Sequence, residues 1–160
     1  MTQRDCLTYA AGLVASVDGV VLELGLGNGR TFDHLRGLLP ERDIYVFERC
    51  VQAHPDCVPG PDRLILGDVR EELARLRPRF AGGAALAHVD LATGDARSSD
   101  RLFAEIEELL VPLMRPGGIV VSERELRGTA WATVPLPEGV PPGRYWIYRS
   151  SRGAERSGAC

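Results

Sequence analysis

The sequence predicts an α/β fold: a three-layer sandwich whose mostly parallel sheet is covered by helices on both faces and finished by an antiparallel terminal hairpin. Three observations lead there. Short aliphatic and aromatic runs alternate with segments of helical spacing as far as residue 122, the pattern of a parallel sheet with crossover helices. The first four of those runs end in a glycine or a carboxylate. After residue 130 two more runs follow with no helical segment between them.

Residues 4–17 place Cys6, Ala10, Leu13 and Val17 three and four apart, a short amphipathic helix. Val20 to Leu24 is a buried strand that runs into glycines, and Phe32, Leu35 and Leu39 mark a helix over 30–39 closed by Pro40. Ile44 to Phe47 is β-branched and aromatic, a second strand ending at Glu48; residues 50–62, with three prolines, read as loop. Arg63 to Leu66 is a third strand ending at Gly67-Asp68. Val69, Leu73, Leu76 and Phe80 lie on one helix face, and Ala84 to Val89 is a fourth strand ending at Asp90. The longest helix is expected to start at Ser99 as its cap, with Leu102, Phe103, Ile106, Leu109, Leu110 and Leu113 as its stripe. Arg115 to Gly118 turns into a fifth strand, Ile119 to Ser122. Only residues 123–130 separate it from Trp131–Leu136, and residues 137–143 then lead to Tyr145–Tyr148. A βαβ crossover needs about a dozen residues or more, so the last two strands are expected to pair antiparallel. Residues 1–150 read as a single domain and residues 151–160 as a solvated, disordered tail.

Composition narrows the chemistry. The 160 residues are 44% hydrophobic and 26% charged, with a net charge of −3. That balance disfavours a dedicated nucleic-acid binder, which draws affinity from neutralising phosphates. All 19 basic residues are arginine. Without lysine there is no P-loop, no protein-kinase phosphate lysine and no pyridoxal Schiff base. The N-terminus has no charged segment followed by an apolar one, so no secretory signal is read there. Asp18 and Glu23 interrupt the longest apolar stretch, so no membrane span is expected. Cys6, Cys50, Cys57 and Cys160 form no C-x-x-C pair. No metal site is expected, and the cysteines read as free thiols of a cytoplasmic protein.

In open α/β sheets ligands bind at the carboxyl ends of the strands. Here those ends carry Gly25-Leu26-Gly27-Asn28-Gly29 directly before a helix, then Glu48, Asp68 and Asp90. The glycines allow a tight turn and close approach to a ligand. A carboxylate after the second strand is placed for two ribose hydroxyls, and one after the third for an exocyclic amine. Three acids would repel a pyrophosphate. The nicotinamide fingerprint G-x-G-x-x-G requires its third glycine at position 30, where Arg30 stands.

Glu23-x-Gly25-x-Gly27-x-Gly29, Glu48, Asp68-Val69 and Asp90 resemble the class I S-adenosylmethionine-dependent methyltransferases, a Rossmann-like family. The string from Leu22 to Thr31 with Phe47-Glu48-Arg49 resembles a small bacterial branch, the S-adenosyl-L-methionine methyltransferases, whose substrate is unassigned. The resemblance spans about residues 18–150. It implies S-adenosyl-L-methionine as cofactor and S-adenosyl-L-homocysteine as product. Gly25, Gly27 and Gly29 would lie against the methionine part, with Glu23 supporting the loop and Asn28 to Thr31 near the amino-acid end. Glu48 would hold the ribose hydroxyls and Arg49 would flank the adenine, whose amine would meet Asp68 and whose ring the Val69 amide. Asp90 would face the methionine amine or the reacting centre.

Two departures concern the acceptor. The helix usual between strands five and six is missing or reduced to one turn at 123–130, and the short N-terminal segment offers little cap. Methyl transfer needs chiefly alignment. A general base is required only where the nucleophile must lose a proton, with Asp90 the first candidate and Asp95, His34 and Glu123 the others. His88 reads as a hydrogen-bonded core histidine. Trp131, Tyr145, Trp146 and Tyr148 read as hairpin packing before a substrate wall. The expected acceptor is a small molecule, with a homo-oligomer or a partner left open to cover the exposed face. The alternatives are a non-catalytic Rossmann-like nucleoside-binding or accessory module, and aminopropyl transfer on the same fold.

Overall fold

The computed structural model describes residues 2–91 and 93–151; the tail beyond Ser151 lies outside them. Two helices open and follow the first strand: α1 (Thr2–Leu13), β1 (Val20–Leu24) and α2 (Arg30–Leu38). Then come β2 (Ile44–Glu48), a short 3-10 turn (Pro55–Cys57), β3 (Leu64–Leu66), α3 (Val69–Arg75), α4 (Arg77–Phe80) and β4 (Ala84–Val89). The chain continues with α5 (Ala96–Leu110), β5 (Met114–Ser122), β6 (Trp131–Val134) and β7 (Trp146–Ser150).

One seven-stranded sheet runs in the order β3-β2-β1-β4-β5-β7-β6. Strands β1 to β5 pair in parallel, and β7 pairs antiparallel with both β5 and β6. The period of two sorts side chains to opposite faces. Leu22, Leu24, Tyr45 and Phe47 pack with Leu73, Phe103, Ile106 and Leu110 of α3 and α5. Val21, Ile44, Val46 and Leu86 pack with Cys6, Leu7, Phe32 and Leu35 of α1 and α2. Fully burying each such large side chain is worth roughly 1.5–3 kcal/mol, so both faces are held by apolar contact. Strand order reverses between β1 and β4, which opens a crevice at their carboxyl ends.

The expected three-layer sandwich is present, with four local corrections. The helix expected over 4–17 is α1, which spans Thr2–Leu13. The helix face expected to run from Val69 to Phe80 is broken at Leu76 into α3 and α4. Pro78 lacks an N–H, and its ring would clash with the carbonyl four residues back. Asp95 caps α5 in place of Ser99: its carboxylate accepts from the Ser98 N–H at 2.9 Å, while Ser99 is buried and its Oγ accepts from the Thr93 N–H. Met114 already pairs with Ala84, so Arg115 to Gly118 bulge out within β5 before pairing resumes at Ile119.

The terminal pair is antiparallel as expected, but β7 inserts between β5 and β6, so β6 runs parallel to β5 at the sheet edge. Residues 123–130 make that crossover without a helix. Sideways travel past one strand is about 10 Å and the return along the sheet about 13 Å. Eight extended residues reach roughly 27 Å, so the span closes. The crossover is pinned to α5 by Glu107, which accepts from the N–H groups of Arg127 and Gly128 and from Trp131 Nε1. Tyr148 Oη accepts from the Leu126 N–H at 3.0 Å.

Candidate functional site

The glycine loop leaves β1 at the point where strand order reverses. Gly25, Gly27 and Gly29 all have positive φ (92°, 52° and 80°), a region costly for residues with a Cβ. At Gly25 a Cβ would collide with the Asp90 carbonyl, so the ends of β1 and β4 approach as closely as they do only because glycine stands there. The Gly25 N–H donates to Phe47 O at 2.8 Å and the Asp90 N–H to Leu24 O at 3.0 Å, which stitches the three strand ends together. Gly29 precedes α2, and Asn28 Oδ1 accepts from the Arg30 N–H at 3.1 Å.

Glu48 ends β2 and clasps this loop. Its Oε2 accepts from the N–H groups of Leu26 (2.7 Å) and Gly27 (3.2 Å), and its Oε1 from those of Arg49 (2.7 Å) and Cys50 (3.3 Å). Burial pushes the carboxyl up, but the four donors outweigh it and hold the group below its ordinary value. Asp68 ends β3 and caps α3 through the Arg70 N–H at 2.9 Å. The Arg70 guanidinium also donates to both Asp68 oxygens and to Glu105. Chiefly through that side chain, Asp68 is lowered to about 2. Val69 is the first residue of α3, where helix N–H groups have no partner inside the helix.

Beneath the loop lies a buried polar chain that period two dictates. Glu23 and His88 are register partners on β1 and β4, on the face covered by α1 and α2. Glu23 Oε1 accepts from Thr31 Oγ1 at 2.7 Å and lies 2.9 Å from His88 Nδ1, while Oε2 is buried with no partner among the described residues. Gln3 of α1 places its Nε2 3.3 Å from His88 Nε2 and donates to Asp90 Oδ2 at 3.0 Å. Burial lowers His88, but Glu23, Asp90 and Glu123 raise it overall. His88 is thus the bonded core histidine expected. Thr31, expected near the ligand, turns inward onto Glu23. The short α1, expected to cap little, reaches Asp90.

Two adjoining cavities share Glu48, Arg49 and Leu91. One, of about 320 Å³, is lined also by Gly25, Gly27 and Asp90. The other, of about 290 Å³, lies against Phe47, Asp68, Val69 and Leu102. A larger cavity of about 750 Å³ lies at the opposite end of the sheet, beside Asp18, Gly19 and Asp43. The paired cavities form the candidate site, because the loop and all three strand-end acids meet there. Of the other base candidates, Glu123 follows β5 and its N–H donates to Val89 O at 3.3 Å, beside Asp90. Asp95 is a helix cap, and His34 bonds Arg4 and Thr8 on the surface between α1 and α2. Sequence reasoning missed Arg70 and Gln3. Arg70 was legible as the second residue of an Asp-capped helix; Gln3, 87 residues from Asp90, carries no local signal.

The arrangement suits a nucleoside with a cationic tail. Its carboxylates can accept from hydroxyl and amine groups, Phe47, Leu91 and Leu102 give an apolar wall flat enough for a base, and Gly27 leaves open space within 4 Å where a Cβ would stand.

Comparison with known proteins agrees. The model of the S-adenosyl-L-methionine methyltransferase family matches residues 1–150. The crystal structure of an S-adenosyl-L-methionine methyl transferase from Silicibacter pomeroyi DSS-3 is 44% identical, with a TM-score of 0.89 over 93% of this chain and 91% of that one. TrmN from Thermus thermophilus is similar in fold alone, at 15% identity and TM-score 0.61, over 93% of this chain and 52% of that one. The 1,6-didemethyltoxoflavin-N1-methyltransferase of Burkholderia thailandensis, solved with S-adenosylhomocysteine, shares the fold at 16% identity and TM-score 0.53, over 94% and 80%. No curated protein matches the chain. With its strand-end acids gathered on a glycine loop and a family match over nearly its whole length, the chain belongs to the S-adenosyl-L-methionine methyltransferases and is an enzyme that uses that cofactor.

Proposed function

We propose that this methyltransferase acts on a small-molecule acceptor, with the cofactor lying across the two adjoining cavities. The observation that supports this most is the meeting of Gly27, Glu48 and Asp90 in one cavity and of Asp68 and Val69 in the next, with Glu48 and Arg49 lining both. S-adenosylmethionine supplies a methyl group on a sulfonium centre. Glu48 takes the ribose hydroxyls in place of its two longer bonds, those from Gly27 and Cys50. Arg49 flanks the adenine, Asp68 and the Val69 amide read its edge, and Arg70 keeps Asp68 ionised and aimed. Gly25 and Gly27 admit the methionine part, Glu23 anchors the loop through Thr31, and Asn28 and Gly29 shape the start of α2. Asp90, held by Gln3, faces the amine or the reacting centre. A net charge of −3 favours a small acceptor over nucleic acid. No described helix is long and apolar enough to cross a membrane. Cys6, Cys50 and Cys57 are free thiols, which supports work in the cytoplasm.

Calorimetry with S-adenosylmethionine, S-adenosylhomocysteine and NAD on the wild type and Glu48→Ala tests this. Micromolar binding of the sulfur nucleosides and none of NAD is expected. Two hydrogen bonds to a charged group, each worth about 1.5–3 kcal/mol, would cost at least a hundredfold in the variant. Equal affinity in the two proteins would remove Glu48 from the site.

A further inference from the structure

Gln3, in the first turn of α1, joins two groups through one atom. Its Nε2 lies 3.3 Å from His88 Nε2 and donates to Asp90 Oδ2 at 3.0 Å. An amide nitrogen carries two hydrogens and accepts nothing, so one hydrogen serves each partner. On the other side of the ring, His88 Nδ1 lies 2.9 Å from Glu23 Oε1, which also accepts from Thr31 Oγ1. A carboxylate only accepts, so the ring proton sits on Nδ1. The geometry is that of a neutral imidazole whose Nε2 accepts from Gln3.

A second proton on His88 is incompatible with this arrangement. An N–H at Nε2 would point at the Gln3 NH2 group, donor against donor. The amide must then turn its oxygen to the ring, which sets that oxygen against the Asp90 carboxylate and breaks the bond holding it. The surroundings put the second proton within reach. Burial lowers His88, but Glu23 from β1, Asp90 after β4 and Glu123 after β5 raise it overall. The helices add neutral groups: Gln3 and the Cys6 thiol from α1, the latter pushed up by burial and by Asp5, and the Thr31 hydroxyl from α2. Tyr145, before β7, is pushed up by burial and then by Asp90 and Glu123, so it too is neutral. Of the three carboxylates, Asp90 is the one that lines the cavity with Gly25 and Gly27.

We propose that Gln3 is a positioning residue that couples cofactor binding to the His88 proton: its amide holds Asp90 for the cofactor's amine only while His88 Nε2 is bare, so binding expels that proton. This rests on the placement of Asp90 at the amine proposed above. Gln3 takes one carboxylate oxygen, Oδ2, and so fixes the direction of the other. An ammonium group set against Asp90 also offsets part of the charge that raises His88, which acts in the same direction. The coupling is reciprocal: if the cofactor drives the proton off, losing the proton tightens the cofactor. Affinity therefore rises with pH through the folded value of His88, which lies above 6.5.

Calorimetry of S-adenosylhomocysteine between about pH 6 and pH 8, in buffers of different ionisation enthalpy, counts the protons exchanged. The wild type should release between about half a proton and one proton per ligand, and its affinity should rise by up to about tenfold per pH unit. Imidazole nitrogen NMR, with His88→Gln to assign the signal, should show Nε2 losing its proton as the ligand is added. 5′-Methylthioadenosine, the same nucleoside without the amino-acid tail, should release none. Gln3→Leu, which removes the amide from a half-buried helix position, should cut the release by about half or more and flatten the pH dependence of affinity. A wild type that binds the ligand without releasing a proton, or an unchanged release in Gln3→Leu, would overturn the coupling through Gln3. Unchanged affinity in Asp90→Asn would instead overturn the placement of Asp90 at the amine, and this proposal with it.

Discussion

Gly25 and Gly27 stand two residues apart in one loop, yet their surroundings differ. A Cβ at Gly25 would strike the Asp90 carbonyl and press Leu91 Cδ2 at 3.3 Å. Gly25→Ala must therefore part the ends of β1 and β4 as well as strain φ, at about 2–3 kcal/mol or more. A Cβ at Gly27 meets nothing within 4 Å, so Gly27→Ala carries only the left-handed backbone cost of about 1–2 kcal/mol. Its methyl group would stand in the cavity shared with Glu48 and Asp90. Thermal melts should show a large loss for Gly25→Ala and a small one for Gly27→Ala, while calorimetry should show cofactor affinity falling about tenfold in the folded Gly27→Ala. A Gly27→Ala protein that binds the cofactor normally would place the ligand elsewhere. Both glycines were legible as a motif; which neighbour each must avoid was not, because Asp90 is 65 residues from Gly25 in sequence.

The crossover at residues 123–130 shows how an element can be held without being regular. It contains no helix, and three of its backbone N–H groups are satisfied by side chains from outside: Tyr148 takes one, and Glu107 takes two together with the Trp131 indole. Glu107→Ala leaves those donors to water and to strain, at about 2–3 kcal/mol for several bonds to one charged group. For a domain of this length that corresponds to roughly 5–10 °C in Tm. Hydrogen exchange should quicken at 126–131 before it changes in β1 or β4. An unchanged exchange pattern would show that packing of Leu126 and Trp131 holds the segment instead. Glu107 lies off the apolar stripe of its helix. Residue spacing places it on that side, but it cannot reveal that a later segment folds back to meet it.

For the whole molecule, charge sets a pH window. Glu48, Asp68 and Asp95 are all held below their ordinary values: Glu48 by four backbone donors that outweigh its burial, Asp68 by Arg70 and Asp95 by the Ser98 hydroxyl and amide. Groups lowered on folding contribute stability that is present above the unfolded values of 3.8–4.5 and lost as pH falls through the folded ones. His88 is shifted the other way, so its contribution is full below 6.5 and lost as pH rises through its higher folded value. Melting curves from acid to alkaline pH should peak between about 4.5 and 6.5. The His88→Gln variant should flatten the upper limb. A wild-type Tm still climbing above neutrality would refute the raised histidine.

Local information settled the layer order, the four strand ends and the glycine loop, because alternation of strand and helix, period-two burial and turn chemistry are written within a few residues. Ile44, Val46, Tyr45 and Phe47 sort to opposite faces by spacing alone, and Glu23, Glu48, Asp68 and Asp90 lie at or beside strand ends wherever the strands pack. The break at Leu76 was legible in Pro78 but was masked by an unbroken apolar face. Tertiary structure alone decided the insertion of β7 between β5 and β6, the Gln3 bond to Asp90 and the adjacency of Asp90 and Glu123. Each joins segments far apart in the chain, and hydrogen bonds between such segments depend on how the packed layers bring them together.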